Sequence, residues 1–279
     1  MKKVLITGVN SYVGNKFAEW IAQYPNDYEV EKISLRNDEW RKMSFSEYDT
    51  VLHVAGIAHQ KETKKNAHIY YKINRDLSVE IARKSKEDGV TQFIFLSSMS
   101  VYGLDEGVID KNTIPNPTSH YGKSKREAEK LIHKLSDNLF KIAIVRPPMI
   151  YGKNCKGNYQ RLRKLALKTP VFPNIENERS MIYINNLTKF LRWLVDEFEQ
   201  NIYCPQNVEY VNTSYLVQLI AKAHGKSVRL TKIFNPILYF IPFSIKKKVF
   251  GNLIYAKKSI SLYNQDFDNL EISIKQTET

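Results

Sequence analysis

The stretch that decides the fold is KKVLITGVNSYVG, residues 2–14. Val4, Leu5 and Ile6 form a short apolar run of strand character, and Gly8 interrupts it. From Gly14 onward, KFAEWIAQY spaces its apolar side chains as one face of a helix. Gly8, Ser11 and Gly14 therefore make a G-x-x-S-x-x-G turn between a strand and a helix start. Backbone N–H groups at such a helix start can meet a pyrophosphate. Taken alone, the glycines serve a tight turn and close helix packing equally well. Ser11 stands where a dinucleotide turn commonly has its middle glycine, and its side chain is small enough to leave room there.

Outward from this turn, YEVEKISLR (28–36), TVLHVAG (50–56), QFIFLSS (92–98) and KIAIVRPP (141–148) read as strands. INRDLSVEIARKSKEDG (73–89) and YGKSKREAEKLIHKL (121–135) read as helices between them. Strands alternating with helices over short linkers predict an α/β fold, a Rossmann-type doubly wound parallel sheet covered on both faces. Beyond Gly152 the rhythm weakens into a helix near 158–168, a turn at TPVFP (169–173) and short elements. The expected division is a dinucleotide-binding domain over 1–152 and a smaller C-terminal substrate lobe over 153–279, with some segments of the lobe returning to the sheet. The terminal IKQTET (274–279) is expected to fray.

Composition narrows the function classes. With 279 residues, 43% hydrophobic content and a mean hydropathy of −0.41, the chain reads as soluble and globular. It lacks a signal-like start and a membrane-spanning apolar run, so a cytoplasmic location is expected. Cys155 and Cys204 are too isolated for a disulfide framework or a thiolate metal site. A net charge of +13 asks for an anionic partner. No aromatic-interleaved or finger-like unit accompanies the basic residues, and nucleic acid is not expected. The segment PILYFIPFSIKKKVFGNLIY (236–255) is expected to close the lobe with its lysines in water, allowing at most weak association with an anionic membrane.

Ser98 ends the fourth strand, in LSSMSVYG, and Tyr121 and Lys125 follow on one helix face at i and i+4. Singly, Ser98 reads as a polar strand end and the Tyr–Lys pair as an ordinary exposed pair. In this order, after a nucleotide turn, they form a candidate proton-transfer centre. An ammonium beside the phenol should lower its pKa. Strand two ends in SLRN with Arg36 and no acid between Ser34 and Asn37. Such an arginine serves equally as a surface residue or as a partner for a ribose 2′-phosphate, which gives NADP preference over NAD.

TGVNSYVG, HVAG, Asn74, SSMSVYG, YGKSK and RPPMIYG, occurring in that order over about residues 2–225, resemble the extended short-chain dehydrogenase/reductase superfamily, the NAD-dependent epimerase/dehydratase family. The resemblance implies that Ser98, Tyr121 and Lys125 are the catalytic trio. It implies that Gly8, Tyr12, Val13 and Gly14 form the dinucleotide turn, that Ala55 and Gly56 line the cofactor path, and that Pro147 walls the nicotinamide. Asn74 would support the strand carrying the active site. It also implies a homodimer through helices near 69–85 and 121–135. Members that dehydrate a sugar carry an Asp–Glu pair directly after the catalytic Ser or Thr. Met99 and Ser100 stand there, so a dehydratase is not expected.

The order of KGN, PVFPN and RSMIYINNL is similar to that in bacterial reductases of UDP-linked 4-keto-6-deoxy-N-acetylhexosamines, enzymes of surface polysaccharide synthesis. This implies substrate contacts from Asn158, Phe172 and Arg179, with Ser98 also touching the sugar. Without that context, Arg179 reads as a surface arginine and Phe172 as core. The expected function is reduction of a C4 keto group. The alternatives are a UDP-sugar 4-epimerase with tightly held NAD and a non-catalytic nucleotide-binding protein. A short segment between strands two and three, Met149, and the lack of a second diphosphate arginine depart from the commoner pattern.

Overall fold

Residues 1–58, 62–63, 65–233, 250–257 and 266–279 are described by the computed structural model. In it, β1 (Lys2–Thr7) lies between β2 (Tyr28–Ile33) and β3 (Thr50–His53). The sheet continues outward through β4 (Gln92–Leu96), β6 (Lys141–Val145) and β10 (Asn201–Tyr203), every pairing parallel. The strand order thus reverses beside β1. At such a reversal, a crevice opens outside the carboxyl ends of the strands. One short helix, α2 (Glu39–Lys42), separates β2 from β3. The compressed segment seen in the sequence leaves β2 at the edge of the sheet.

Apolar runs become central strands here because both faces are covered. Leu5, Val51, Phe93, Phe95, Ile142 and Ile144 share one core cluster with Ile81 and Ala82 of α4 (Ser78–Glu87) and Ala128 and Ile132 of α5 (His120–His133). Before α4, α3 (Ala67–Tyr70) runs into a π-helical stretch, Tyr71–Leu77, whose wider winding brings Asn74 inside as a fully buried residue. The helix expected to begin at Ile73 therefore starts earlier and changes winding midway.

Two compact units divide the chain, and their boundaries interleave along the sequence. The first comprises residues 1–103, 115–147 and 187–205, and it contains the six-stranded sheet. The second comprises 104–114, 148–186 and 206–279. It holds three small parallel pairs. These are β5 (Gly107–Ile109) with β12 (Leu253–Tyr255), β7 (Met149–Tyr151) with β9 (Met181–Tyr183), and β8 (Val171–Pro173) with β11 (Arg229–Thr231). Helices α6 (Asn158–Lys168), α8 (Thr213–Ala223) and α9 (Leu270–Glu278) pack beside them. The helix α7 (Ile184–Glu197) begins in the second unit and joins the first at Leu187.

Two local expectations are corrected. TPVFP is no turn, because Val171–Pro173 pairs with a strand almost sixty residues away that local pattern cannot reveal. IKQTET does not fray either. Glu278 is buried in α9, where it binds Arg163 Nε at 2.6 Å, His224 Nε2 at 2.6 Å and the Tyr159 hydroxyl at 2.7 Å. Most of the 236–255 segment, residues 236–249, lies outside the described residues. Among the described residues, no helix is long and apolar enough to cross a membrane.

Candidate active site

The nucleotide turn is built at the carboxyl end of β1. Gly8 has φ +103°, a value side-chain-bearing residues rarely adopt, and a methyl group on it would stand 3.1 Å from Ala55. Ser11 has φ −70° and needs no glycine. It is the N-cap of α1 (Tyr12–Ile21), with Oγ accepting from Gly14 N at 3.3 Å. Val13 and Gly14 are buried against the sheet, while Tyr12 is partly exposed at the helix start. The first-turn N–H groups of α1 follow directly on the Gly8 turn, and this cradle fits a dinucleotide pyrophosphate. Arg36 is exposed just beyond β2.

Gly56 follows β3 and is exposed. A methyl group there would lie 2.9 Å from Asn74 Oδ1 and 3.4 Å from Lys125 Nζ, so β3, the π-helical stretch and α5 meet at this point. Asn74 grips the next residue twice: Ile57 N donates to its Oδ1 at 2.8 Å, and its Nδ2 donates to Ile57 O at 3.1 Å. The same Nδ2 reaches Ser124 Oγ at 3.3 Å. Asn74 therefore fixes the segment after β3 to α5.

Ser98 leaves β4 in extended conformation and caps a 3-10 turn, Met99–Tyr102, with Oγ accepting from Ser100 N at 3.1 Å. Pro147 is buried beyond β6, and its carbonyl accepts from Met99 N at 2.9 Å, which ties the ends of these two strands together. Tyr121 sits in the first turn of α5, and Lys125 lies one turn on. Lys125 Nζ donates to Leu96 O at 2.8 Å and stands 4.5 Å from the centre of the Phe95 ring.

Electrostatics differ from the simple Tyr–Lys expectation. Burial raises the Tyr121 phenol above its ordinary 10, and the group opposing that rise is the Ser98 hydroxyl. Lys125 is itself lowered to about 8 by burial, opposed by the charge of Glu129. The Lys125 ammonium donates to the β4 carbonyl, and no contribution from it lowers the Tyr121 phenol.

A polar frame that the motifs do not include lies beneath these residues. Glu129, one turn past Lys125, accepts from Ser97 Oγ at 2.5 Å, from Arg146 Nε at 2.9 Å and Nη2 at 2.7 Å, and from Arg126 Nη1 at 3.0 Å. Arg146 also donates to the Tyr102 hydroxyl at 2.9 Å. Glu129 and Arg146 are both buried and flank Ser97–Ser98 and Pro147. A carboxylate four residues after Lys125 and an arginine before a Pro-Pro pair were the available signals. Only the fold brings them together.

In the second unit, Asn158 is exposed at the first position of α6. Arg179 Nη1 donates to Gly251 O at 2.8 Å, and its backbone bridges to Val211 and Leu253. Burial lowers its pKa, opposed by Asp105. Phe172 is buried on β8, its ring 6.1 Å from that of Phe250. It is a packing residue in this unit, as large apolar side chains usually are.

Comparison with known proteins supports the same assignment. The profile of the NAD dependent epimerase/dehydratase family matches residues 4–204. An N-acetyl-alpha-D-glucosaminyl-diphospho-ditrans,octacis-undecaprenol 4-epimerase of Escherichia coli O157:H7 is 28% identical, the match covering 92% of this chain and 83% of that protein. A UDP-glucose 4-epimerase of Vibrio cholerae is 27% identical over 81% of this chain and 76% of its own. The solved UDP-glucuronic acid 4-epimerase of Bacillus cereus, in complex with NAD, superposes with a TM-score of 0.76 at 19% identity, covering 99% of this chain and 97% of that one. The chain belongs to the NAD-dependent epimerase/dehydratase family and is an NAD(P)-dependent enzyme of that type.

Proposed function

We propose that this protein is a 4-epimerase of a UDP-linked sugar, working with a nicotinamide cofactor retained through turnover. The observation that carries the reading is the extent of likeness to two 4-epimerases, one matching across 92% of this chain and the other across 81%. The side chains around Ser98 are compatible with it, since Met99 and Ser100 supply no acid or base for a dehydration.

When bound, the nicotinamide supplies the acceptor and donor of a C4 hydride. In the oxidising direction, the Tyr121 phenolate takes the C4 hydroxyl proton and becomes the neutral phenol, and the Ser98 hydroxyl lowers the energy of the phenolate from which the step starts. In the returning direction, the neutral phenol gives the proton back. Lys125, fixed by Leu96 O beside Gly56, would hold a ribose hydroxyl. Arg179 is assigned to the diphosphate because its planar fork suits phosphate oxygens.

Reduction of a UDP-4-keto-6-deoxy-N-acetylhexosamine is the second reading. It is favoured by Arg36, an exposed cation after β2 where an adenosine-ribose acid would favour NAD. The deciding experiment incubates the purified protein, with no added cofactor, with UDP-glucose, UDP-N-acetylglucosamine and a polyprenyl-diphosphate N-acetylhexosamine, and follows C4 configuration by NMR. Epimer exchange with near-stoichiometric nicotinamide in the protein is expected. No exchange, together with conversion of the keto sugar only when NADPH or NADH is added, overturns the epimerase reading in favour of the reductase.

A further inference from the structure

We propose that Glu62 is a positioning residue for the reaction, its carboxylate fixing the first turn of α5 and so the place of the Tyr121 phenol. The proposal rests on Tyr121 being the proton-transferring group of the preceding reading. A helix leaves its first N–H groups without intrahelical acceptors, and in α5 those of His120, Tyr121 and Gly122 are all satisfied by side chains. His120 N donates to Glu62 Oε2 at 2.9 Å, and Tyr121 N donates to Glu62 Oε1 at 3.0 Å. Gly122 N donates to Ser119 Oγ at 3.0 Å, and the helix's own bonding starts with Lys123 N donating to Ser119 O at 2.9 Å. Two of the three side-chain cap bonds thus come from one carboxylate almost sixty residues earlier in the chain.

Its two bonds land on the backbone of Tyr121 and of its immediate neighbour. The Ser119 side chain caps only the third N–H group, so losing Glu62 loosens the turn at the catalytic tyrosine. Lys125 is anchored differently, by Leu96 O at 2.8 Å, and Asn74 independently holds Ile57. Removing the carboxylate therefore displaces the phenol while leaving the lysine and the cofactor side of the site in place. The charge of Glu62 also reaches the surrounding aromatic cluster. Burial raises the Tyr70 phenol, and Glu62 raises it further.

The test compares Glu62→Ala and Glu62→Gln with the parent enzyme by kcat, cofactor Kd and thermal midpoint. A displacement near 1 Å at a reacting group costs roughly 100-fold in rate. Glu62→Ala is expected to lower kcat by about 10- to 100-fold with cofactor Kd and thermal midpoint little changed. Glu62→Gln, keeping one acceptor oxygen, should fall between. Unchanged kcat in Glu62→Ala overturns the proposal, as does a parallel loss of kcat, cofactor affinity and thermal midpoint, which marks a merely structural role. A readout independent of substrate is the titration of the Tyr121 ring in carbon-13 tyrosine-labelled protein, assigned with Tyr121→Phe. Glu62→Ala should lower its midpoint, because the displaced phenol gains water and loses part of the burial that raises it. An unmoved midpoint overturns the proposal even if the parent enzyme proves inactive on every sugar tried.

Discussion

Replacing Glu129 by Gln tests the frame beneath the active site. The change keeps size and shape but removes the charge that Arg146 faces at 2.7 and 2.9 Å, with both residues buried. It also turns an amide donor toward the Arg146 and Arg126 donors. The Arg146 guanidinium would keep the Tyr102 hydroxyl but lose its counter-charge. Breaking one half of a buried ion pair costs about 3–5 kcal/mol. A unit of about 150 residues loses about 2–4 °C per kcal/mol, so the midpoint should fall by roughly 6–20 °C. Trp20, Trp40 and Trp193 are the chain's only tryptophans and all lie in the first unit, so their fluorescence during urea unfolding reports that unit alone.

The companion variant, Glu129→Leu with Arg146→Met, separates charge burial from packing. Apolar replacement of both partners is often neutral or stabilising, and most of the lost stability should return. Activity should not, because the Ser97 bond is gone and Lys125, already near 8, loses the charge that supports its protonated form. If Glu129→Gln unfolds within about 1 kcal/mol of the parent, or the double variant is less stable than Glu129→Gln, the account of this pair as a charge-compensated frame is wrong.

Three further outcomes are expected. Tyr121→Phe should retain cofactor affinity and lose roughly 100- to 10,000-fold in turnover, measured by NMR of the sugar product, and near-normal turnover removes Tyr121 from the chemistry. Arg36→Ala should lower the ratio of NADPH to NADH affinity in fluorescence titrations, whereas an unchanged ratio shows that Arg36 does not read the 2′-phosphate. Because the folded pKa of Lys125, about 8, lies below the unfolded 10.5, the unfolded chain binds more protons between these values, and stability from this group rises with pH there. Relative to Lys125→Met, the parent should gain about 2 kcal/mol between pH 7 and 9.5 in urea titrations, and a flat difference refutes the burial assigned to this ammonium.

Features written in local periodicity were legible in the chain. The strand–turn–helix at residues 2–21, the buried runs of β3, β4 and β6, and the i, i+4 spacing of Tyr121 and Lys125 all follow from neighbours a few residues apart. The second unit was largely opaque for the opposite reason. The β5–β12, β7–β9 and β8–β11 pairs are three residues long and join distant segments, so neither strand carries a full period by itself. The resemblance that pointed to Phe172 could match a residue type in order along the chain but could not say that its ring would be packed beside Phe250.

The same distinction explains why the reacting groups were visible while the groups that hold them were not. Ser98, Tyr121 and Lys125 each have a chemical reason to be one residue type at one spacing. Glu62, Glu129 and Arg146 act by supplying an acceptor or a charge to whatever the fold places against them. Glu62 meets α5 across almost sixty residues, and Glu129 meets Ser97 across thirty-two. Such partners leave no local pattern, yet they fix where the reacting atoms stand. The α5 helix joins both kinds of information: Tyr121 and Lys125 follow from its own periodicity, while Glu62 at its start and Arg146 beside Glu129 hold it against the rest of the first unit.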